Sequence, residues 1–370
     1  MKLLMVTPHL PPHQAANALL PHQLGCGLRE RGHEVRFLTF GAGPDRDGVA
    51  FVRRRSRRLR TTRVPQALEA MATWRKGSPL VRAADVVHVH SNTWMNQVAA
   101  GLAARHGRPY VLTHYGTEIW HHDGKDAAFR RMNARARHVT FYSQALLERA
   151  RELALPLSSA SVVYPPVAES FAPRTDAERQ AVRRQHLPEG QGALIVNVKR
   201  LHPLADHATL LDAFALVRRE RGDARLAIAG SGETGPALRA QAARLGLDET
   251  VTFLGLVPNE ALAPLQAAAD LFVLSSILEA TPTVALEALA SGTPVVSTDN
   301  PGGLELRGLF GDDVVVVPRR DPAALAQAIL AGLREPRRTR PASARLVAER
   351  FRLPGVVETY LRLYAEAGRR

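Results

Sequence analysis

KLLMVTPHLPPHQAANALLPHQLGCGLRERGHEVRFLTF (residues 2–40) decides the fold. It opens on a short apolar run that stops at Pro8, the pattern of a parallel strand buried on both faces. Residues 15–31 then carry Leu19, Leu20, Leu24 and Leu28 at helical spacing, and Gly32 supplies the stop. EVRFLTF (34–40) reads as a second strand. Strand, helix and strand in this succession form a βαβ unit and imply parallel pairing.

The alternation continues outward. Strands are expected at 49–53, 85–89, 110–113, 138–141 and 161–163, with helical stretches near 64–75, 93–105, 125–136 and 143–153. The rhythm breaks over 164–192, where YPPVAESFAPRTD (164–176) holds three prolines and one further helix is expected. A second alternation follows: strands at 194–198, 225–229, 251–254, 271–274, 294–297 and 314–317, helices at 206–220, 233–245, 259–268, 282–291 and 321–333. From about residue 339 two helices follow, split by Pro354. No repeat of 20–50 residues is visible. The expected fold class is α/β, with two doubly wound Rossmann-like parallel-sheet domains over 1–175 and 190–345 and a terminal helix over 346–370. Such sheets bind ligands at the carboxyl ends of their strands, so two facing domains would form a cleft.

Composition narrows the possibilities. The chain has 370 residues, 45% of them hydrophobic, which excludes disorder. Cys26 is the one cysteine, so no internal disulfide can form. No apolar run approaches the roughly 18–20 residues of a membrane span. The prolines after MKLLMVT argue against a signal peptide, so a cytoplasmic location is expected. The net charge is +14, yet only Lys2, Lys76, Lys125 and Lys199 are lysines, leaving 45 arginines among 49 basic residues. This skew reads as base composition rather than function. One segment stands apart: residues 53–63, from Arg53 to Arg63, contain seven arginines and no acid. It is either a solvated loop or a contact for an anionic surface, such as peripheral docking on the inner face of a membrane. Nucleic acid is not expected, because no recognised nucleic-acid module accompanies the charge.

The sharpest chemical signal is SSILEATPTVALEALASGTPVV (275–296). A strand ends near Ser275, Glu279 sits in a loop, and a helix starts near Thr281–Pro282, with Thr281 as a plausible N-cap and Pro282 at the first helical position. Glu287 lies one to two turns inside, among Leu286, Ala288, Leu289 and Ala290, where an unpaired carboxylate is costly. Two carboxylates thus bracket a helix N-terminus. The terminus offers N–H groups and a partial positive charge to a diphosphate. The carboxylates suit hydroxyls of sugar and ribose.

Here the sequence resembles the retaining family 4 nucleotide-sugar glycosyltransferases of GT-B architecture. The resemblance rests on Glu279, Glu287, the following AlaLeuAla, Gly292 and PVV (294–296), with support from VTFLGLVP (251–258), AADLFVLSS (268–276), Gly302–Gly303 and RGHEV (31–35). It implies that Glu279 contacts the donor sugar near the reacting carbon and that Glu287 holds the nucleotide ribose. Ala280, Thr281 and Thr283 would turn their backbone to the diphosphate, and Gly230, in AIAGSGETG (227–235), would line the nucleotide site. It also implies that the last helix packs back on the first domain and that no metal or other cofactor is needed, the nucleoside-diphosphate sugar being a co-substrate.

The chain departs from that pattern in three places. Where the family has Gly-Arg and then a lysine about five residues on, this sequence has Lys199, Arg200 and Ala205. Arg200 matches the arginine of the phosphate clamp. The second cation is missing unless Lys199 supplies it from the neighbouring position, and adjacent residues on a strand need not face one site. In the first domain, Ala15 and Ala16 stand where a glycine pair is usual, leaving Asn17 and the helix terminus to meet an acceptor. In THYGTEIWHH (113–122), His114 is the nearest match to an active-site histidine, although Tyr115 occupies the position next to Gly116. Glu118 is expected to contact acceptor hydroxyls. His88 and His90 alternate on a strand without any recognised metal spacing, and Asp45-Arg46-Asp47 reads as a turn.

The expected activity is transfer of a hexosyl group from a nucleoside-diphosphate sugar to an acceptor hydroxyl on a glycan, a lipid-linked glycan or a small molecule, with retention. His114, Glu279 and Arg200 are the expected catalytic residues and Lys199 an expected donor-binding one. Two alternatives stay open: a non-catalytic sugar-nucleotide binder with a degenerate clamp, and a basic nucleic-acid-binding protein.

Overall fold

A computed structural model describes residues 1–13, 16–41, 44, 45, 47–53 and 64–369. Ala15, Arg46 and the arginines from Arg54 to Arg63 lie outside the described residues.

The chain divides into two compact units, Met1–Pro166 with Leu353–Arg370, and Val167–Arg352. The first contains strands β1 (Lys2–Val6), β2 (Glu34–Phe40), β3 (Val49–Val52), β4 (Val86–His90), β5 (Tyr110–His114), β6 (His138–Phe141) and β7 (Ala160–Val162). They form one parallel sheet in the order β3-β2-β1-β4-β5-β6-β7. The second contains β8 (Leu194–Val198), β9 (Arg225–Ala229), β10 (Val251–Gly255), β11 (Leu271–Leu274), β12 (Val295–Thr298) and β13 (Val314–Val317), ordered β10-β9-β8-β11-β12-β13. Both orders reverse once. The chain winds outward from β1 and then crosses to β4 on its other side, and β8 and β11 repeat the arrangement. In such sheets a crevice opens at the carboxyl ends of the two strands flanking the reversal.

Local sequence explains these elements. β1 is central, between β2 and β4 with Leu3 opposite both Val35 and Val86, so its apolar run is buried on both faces. Three helices of the first unit start on capping side chains: Thr93 accepts from the Asn96 amide, Asp126 from Ala128 and Phe129, and Ser143 from Leu146. Thr175 and Glu178 form a reciprocal capping box at the head of Asp176–His186.

Several expectations need correction. The second helix runs over Val64–Ala83, well beyond residue 75. An additional helix, Pro301–Phe310, was hidden by Gly302 and Gly303, which weaken its periodicity; Asn300 caps it through the Gly303 amide. The last two helices part at Phe351 and Arg352 rather than at Pro354, which sits in the first turn of Leu353–Arg369, where no N–H is required.

The unit boundaries also differ from the sequence reading. Residues 167–171 belong with the second unit, where Val167 donates to the Phe351 carbonyl and Arg352 donates to the Phe171 carbonyl. The helix Leu353–Arg369 belongs to the first unit. It buries Val356, Val357, Tyr360 and Tyr364 in one core with Leu24, Leu28 and Phe37. The core of the second unit gathers Leu210, Phe214, Ile228, Val273, Leu325 and Ile329 on one face of its sheet.

Candidate active site

In the second unit the site is built where the strand order reverses. Lys199 and Arg200 follow β8, and Glu279 follows β11. Lys199 Nζ lies 2.5 Å from Glu279 Oε1, with both side chains mostly covered. Arg200 turns to a different carboxylate, Glu233, at 3.4 Å, and its side chain is 72% exposed. The two neighbouring cations therefore separate: one meets the motif glutamate and the other stands in solvent with a long, screened partner.

The loop carrying Glu279 is fixed from both sides. The Ile277 amide donates to the Leu204 carbonyl and Ser275 Oγ donates to the Ala205 carbonyl. Ala205 is buried in this contact, so the position brings no cation to the surface. On the other side the Gly302 amide donates to the Glu279 carbonyl. A Cβ on Gly302 would lie 2.7 Å from Pro282 Cδ and 3.1 Å from Glu279 Cβ, so only glycine admits this approach. Gly230 has a similar local reason. Its φ is +145°, and an added Cβ would fall 1.9 Å from the Lys199 carbonyl oxygen. Gly230 thus seats the loop that aims Lys199.

The helix start differs from the expected one. Pro282 is the N-cap residue without a side-chain cap, and Thr283–Ala290 is helical. The Thr283 amide is taken by the Thr281 carbonyl, and the Ala285 and Leu286 amides by the Pro282 carbonyl. The amides of Ala280 and Val284 make no backbone hydrogen bond among the described residues. Glu287, one turn further, is partly buried, its carboxyl has no ion pair or hydrogen bond among the described residues, and burial pushes that carboxyl up to about 7. The residues from Glu279 to Glu287 thus present an ion-paired carboxylate, two open amides and an unpartnered carboxyl.

The first unit is different in kind. His114, at the end of β5, is fully buried between Phe129 and Phe141. Its Nε2 is 2.9 Å from Asn133 Oδ1 and its Nδ1 is 3.7 Å from Glu118 Oε1. The enclosed ring flanks Glu118. The Tyr115 amide donates to Glu118 at 2.9 Å. Burial works to raise the Glu118 pKa, but His114 and that amide outweigh it and hold the carboxyl below its ordinary value. Tyr115 Oη is 2.8 Å from His90 Nδ1. His90 lies against His88 with ring centroids 3.8 Å apart and the planes tilted by 37°, and His88 joins Tyr364 and Thr113 at 2.7 Å each. The alternating histidines are thus buried parts of a polar network. Asp45 makes a turn contact, accepting from Lys76 and the Phe51 amide. Among the described residues no group of three or more His, Cys, Asp or Glu gathers as a metal site.

Asn17 lines a cavity of about 220 Å³ at the carboxyl ends of β1 and β4, with His9, Glu69, Thr93 and Trp94. Asn17 Oδ1 is buried without a hydrogen-bond partner among the described residues. Trp94 is 52% exposed.

With this geometry in view, comparison with known proteins is informative. The family described as "Glycosyl transferases group 1" matches residues 178–346, and "Glycosyltransferase Family 4" matches residues 21–171. An uncharacterized glycosyltransferase of Methanocaldococcus jannaschii is 30% identical over 335 residues, which cover 83% of this chain and 82% of that protein. The chain belongs to the family 4 glycosyltransferases. Other relatives are matched over less of their length: mannosylfructose-phosphate synthase of Agrobacterium fabrum is 36% identical over 36% of this glycosyltransferase and 30% of the relative. Among solved structures, sucrose-phosphate synthase from Thermosynechococcus elongatus aligns with TM-score 0.76 at 18% identity, covering 99% of both chains. Anabaena HepE in complex with UDP aligns with TM-score 0.77 at 19% identity, covering 99% of this glycosyltransferase and 100% of HepE. These likenesses establish the GT-B fold.

His9, Glu69 and Trp94 escaped the sequence reading of this glycosyltransferase. The signal that could have found them is topological. His9 follows β1 and Trp94 follows β4, the two strands that flank the reversal of the first sheet. No helix among the described residues is long and apolar enough to cross a membrane.

Proposed function

We propose that the glycosyltransferase transfers a hexosyl group from a nucleoside-diphosphate sugar to an acceptor hydroxyl with retention at the anomeric carbon. The observation that carries this reading is the Lys199–Glu279 pair, set where the second sheet reverses and next to the helix Thr283–Ala290. Glu279 holds hydroxyls of the donor sugar and Glu287 accepts from the ribose. The stretch from Ala280 through Thr281 and Thr283 turns its backbone to the diphosphate, with the open amides of Ala280 and Val284, rather than the Thr283 amide, as donors. Lys199 and Arg200 neutralise charge that grows on the leaving phosphate as the bond to the anomeric carbon breaks. The acceptor oxygen bonds that carbon on the same face, and its proton passes to the departing phosphate oxygen. Cationic side chains then fill the role a divalent ion has in other transferases. HepE, solved with UDP, and Arabidopsis starch synthase IV, solved with ADP, make uridine and adenine nucleotides the first donors to try.

Asn17 and Glu118 serve the acceptor. The unpartnered Asn17 oxygen in a cavity beside an exposed tryptophan supports a hydroxyl-rich acceptor. A peripheral membrane contact from Arg53 to Arg63 finds support in Met71 and Trp74, 60% and 53% exposed on the following helix. The test is incubation with UDP-, GDP-, ADP- and dTDP-sugars and a panel of hydroxyl acceptors, with NMR assignment of the product anomer. Nucleotide binding with neither transfer nor hydrolysis across the panel would favour the non-catalytic reading instead.

A further inference from the structure

One cavity on the first unit lies at the wrong edge of the sheet for the reaction. It has a volume of about 620 Å³, and Arg105, Arg108, Arg135 and Arg137 line it together with Tyr110 and Ser158. Tyr110 is the first residue of β5, Arg137 precedes β6 and Ser158 precedes β7. The cavity therefore opens at the amino ends of these strands, whereas a parallel sheet of this winding takes its substrates at the carboxyl ends. A second cavity of about 200 Å³ shares Tyr110 and Arg135 with it and adds Arg131.

Among the described residues no carboxylate lines either cavity. Arg108 donates to the Arg82 carbonyl at 2.7 Å. The side chains of Arg105, Arg131, Arg135 and Arg137 make no hydrogen bond or ion pair among the described residues. Some arginines of the second unit are held by carboxylates, as Arg183 is by Asp270 and Arg337 by Asp313. Arg105 and Arg135 each stand in the last turn of a helix. Helix ends contribute roughly half a negative charge each, far less than the full charges of the guanidinium groups around them. The cavity is thus strongly electropositive and within the size range of small-molecule sites. Guanidinium groups bind phosphoryl oxygens bidentately and stay charged at all working pH values.

We propose that this cavity binds a small anion carrying two or more phosphoryl groups, at a site separate from the donor site. A free polyphosphate and the phosphates of a nucleotide share this chemistry. Calorimetric titration of the full chain with sodium tripolyphosphate, and in a second arm with ADP, tests the proposal. Three proteins are compared: the wild type, Arg105→Ala/Arg137→Ala and Arg200→Ala. The double variant removes exposed side chains, and its fold is checked by circular dichroism. Tripolyphosphate should bind the wild type saturably, and the component that weakens about tenfold or more in the double variant should persist in Arg200→Ala. In the ADP arm, a component that follows Arg105 and Arg137 identifies a nucleotide as ligand; ADP binding that follows only Arg200 leaves free polyphosphate as the ligand. The proposal is overturned if the wild type shows no saturable tripolyphosphate binding at millimolar concentration, if the double variant binds as tightly as the wild type, or if the component lost in the double variant is also lost in Arg200→Ala. None of these outcomes depends on sugar transfer, so it stands or falls apart from the proposed reaction.

Discussion

The two sheets share one winding, yet the carboxyl edges at their reversals are equipped differently. In the second unit the ionisable groups stay within reach of a ligand: Lys199 and Glu279 form a partly covered pair, and Glu287 is unpartnered. In the first unit they are drawn inward. His88, His90 and His114 are buried and bonded to Tyr364, Tyr115 and Asn133. The same topology thus supports one edge that keeps charge available and another that uses polar groups to fix its own core. Buried polar groups need partners, and the histidines of the first unit find theirs within its core.

Substitution at the charged edge should have the largest effect. Glu279→Ala and Lys199→Ala should each lower kcat/KM by about 10²- to 10³-fold, the range for losing one preorganised charge contact in a transition state. Because the two side chains touch, the double variant should cost much less than the product of the single effects. Independent, multiplicative losses measured in a full cycle would break the pairing.

Gly230→Ala comes next. Its Cβ would collide with the Lys199 carbonyl oxygen from a φ of +145°, so stability should fall by about 2–4 kcal/mol. Denaturant unfolding measures this. An unchanged midpoint would show that the loop yields freely.

Acid sharpens the contrast between the units. Burial holds His90 down to about 3 and His88 well below its ordinary value, so both are neutral in the fold and take up protons on unfolding. The unfolded chain binds more protons below about pH 6.5, and the stability these groups give is lost as pH falls from there, at up to about 1.4 kcal/mol per unit and per group. In the second unit His207, held down to about 4, acts in the same sense. Glu287, pushed up to about 7, acts in the opposite sense between its unfolded value and pH 7, so the two largely cancel there. Trp74, Trp94 and Trp120 all lie in the first unit. Their fluorescence should therefore report an acid transition at higher pH than the loss of nucleotide-dependent thermal stabilisation in the second. Coincident transitions would contradict it.

The smallest effect isolates Glu287. Its raised pKa makes the ionised form a liability above pH 7 that is relieved as pH falls toward 4.5. Glu287→Gln should stabilise the ligand-free protein by about 1–2 kcal/mol at pH 8, allowing for partial exposure, and by almost nothing at pH 5. The same change should weaken nucleotide binding. A thermal-shift gain independent of pH would mean that packing, not charge, sets the effect.

Much of this was legible in residue order. Apolar runs such as those of β1 and β8 are buried on both faces, so they stand out as strands without any partner being known. The helix Pro301–Phe310 did not, because its two glycines serve a tertiary purpose: Gly302 admits the Glu279 loop and Gly303 packs against Thr298. The terminal helix was legible as a helix. Its place in the first unit depends on Tyr360 and Tyr364 meeting Thr113 and His88, far away in sequence.

By itself, then, the sequence determined two doubly wound halves, the spacing of Glu279 and Glu287 about a helix start, and the adjacency of Lys199 and Arg200. Only the tertiary structure decided that Lys199 and not Arg200 meets Glu279, that His114 lies inside the core, and that arginines from two separate segments line one cavity. The physical reason is range. Periodicity and turn chemistry act over a few residues and set the elements, whereas side-chain direction and charge pairing depend on which distant segments the sheet order brings together.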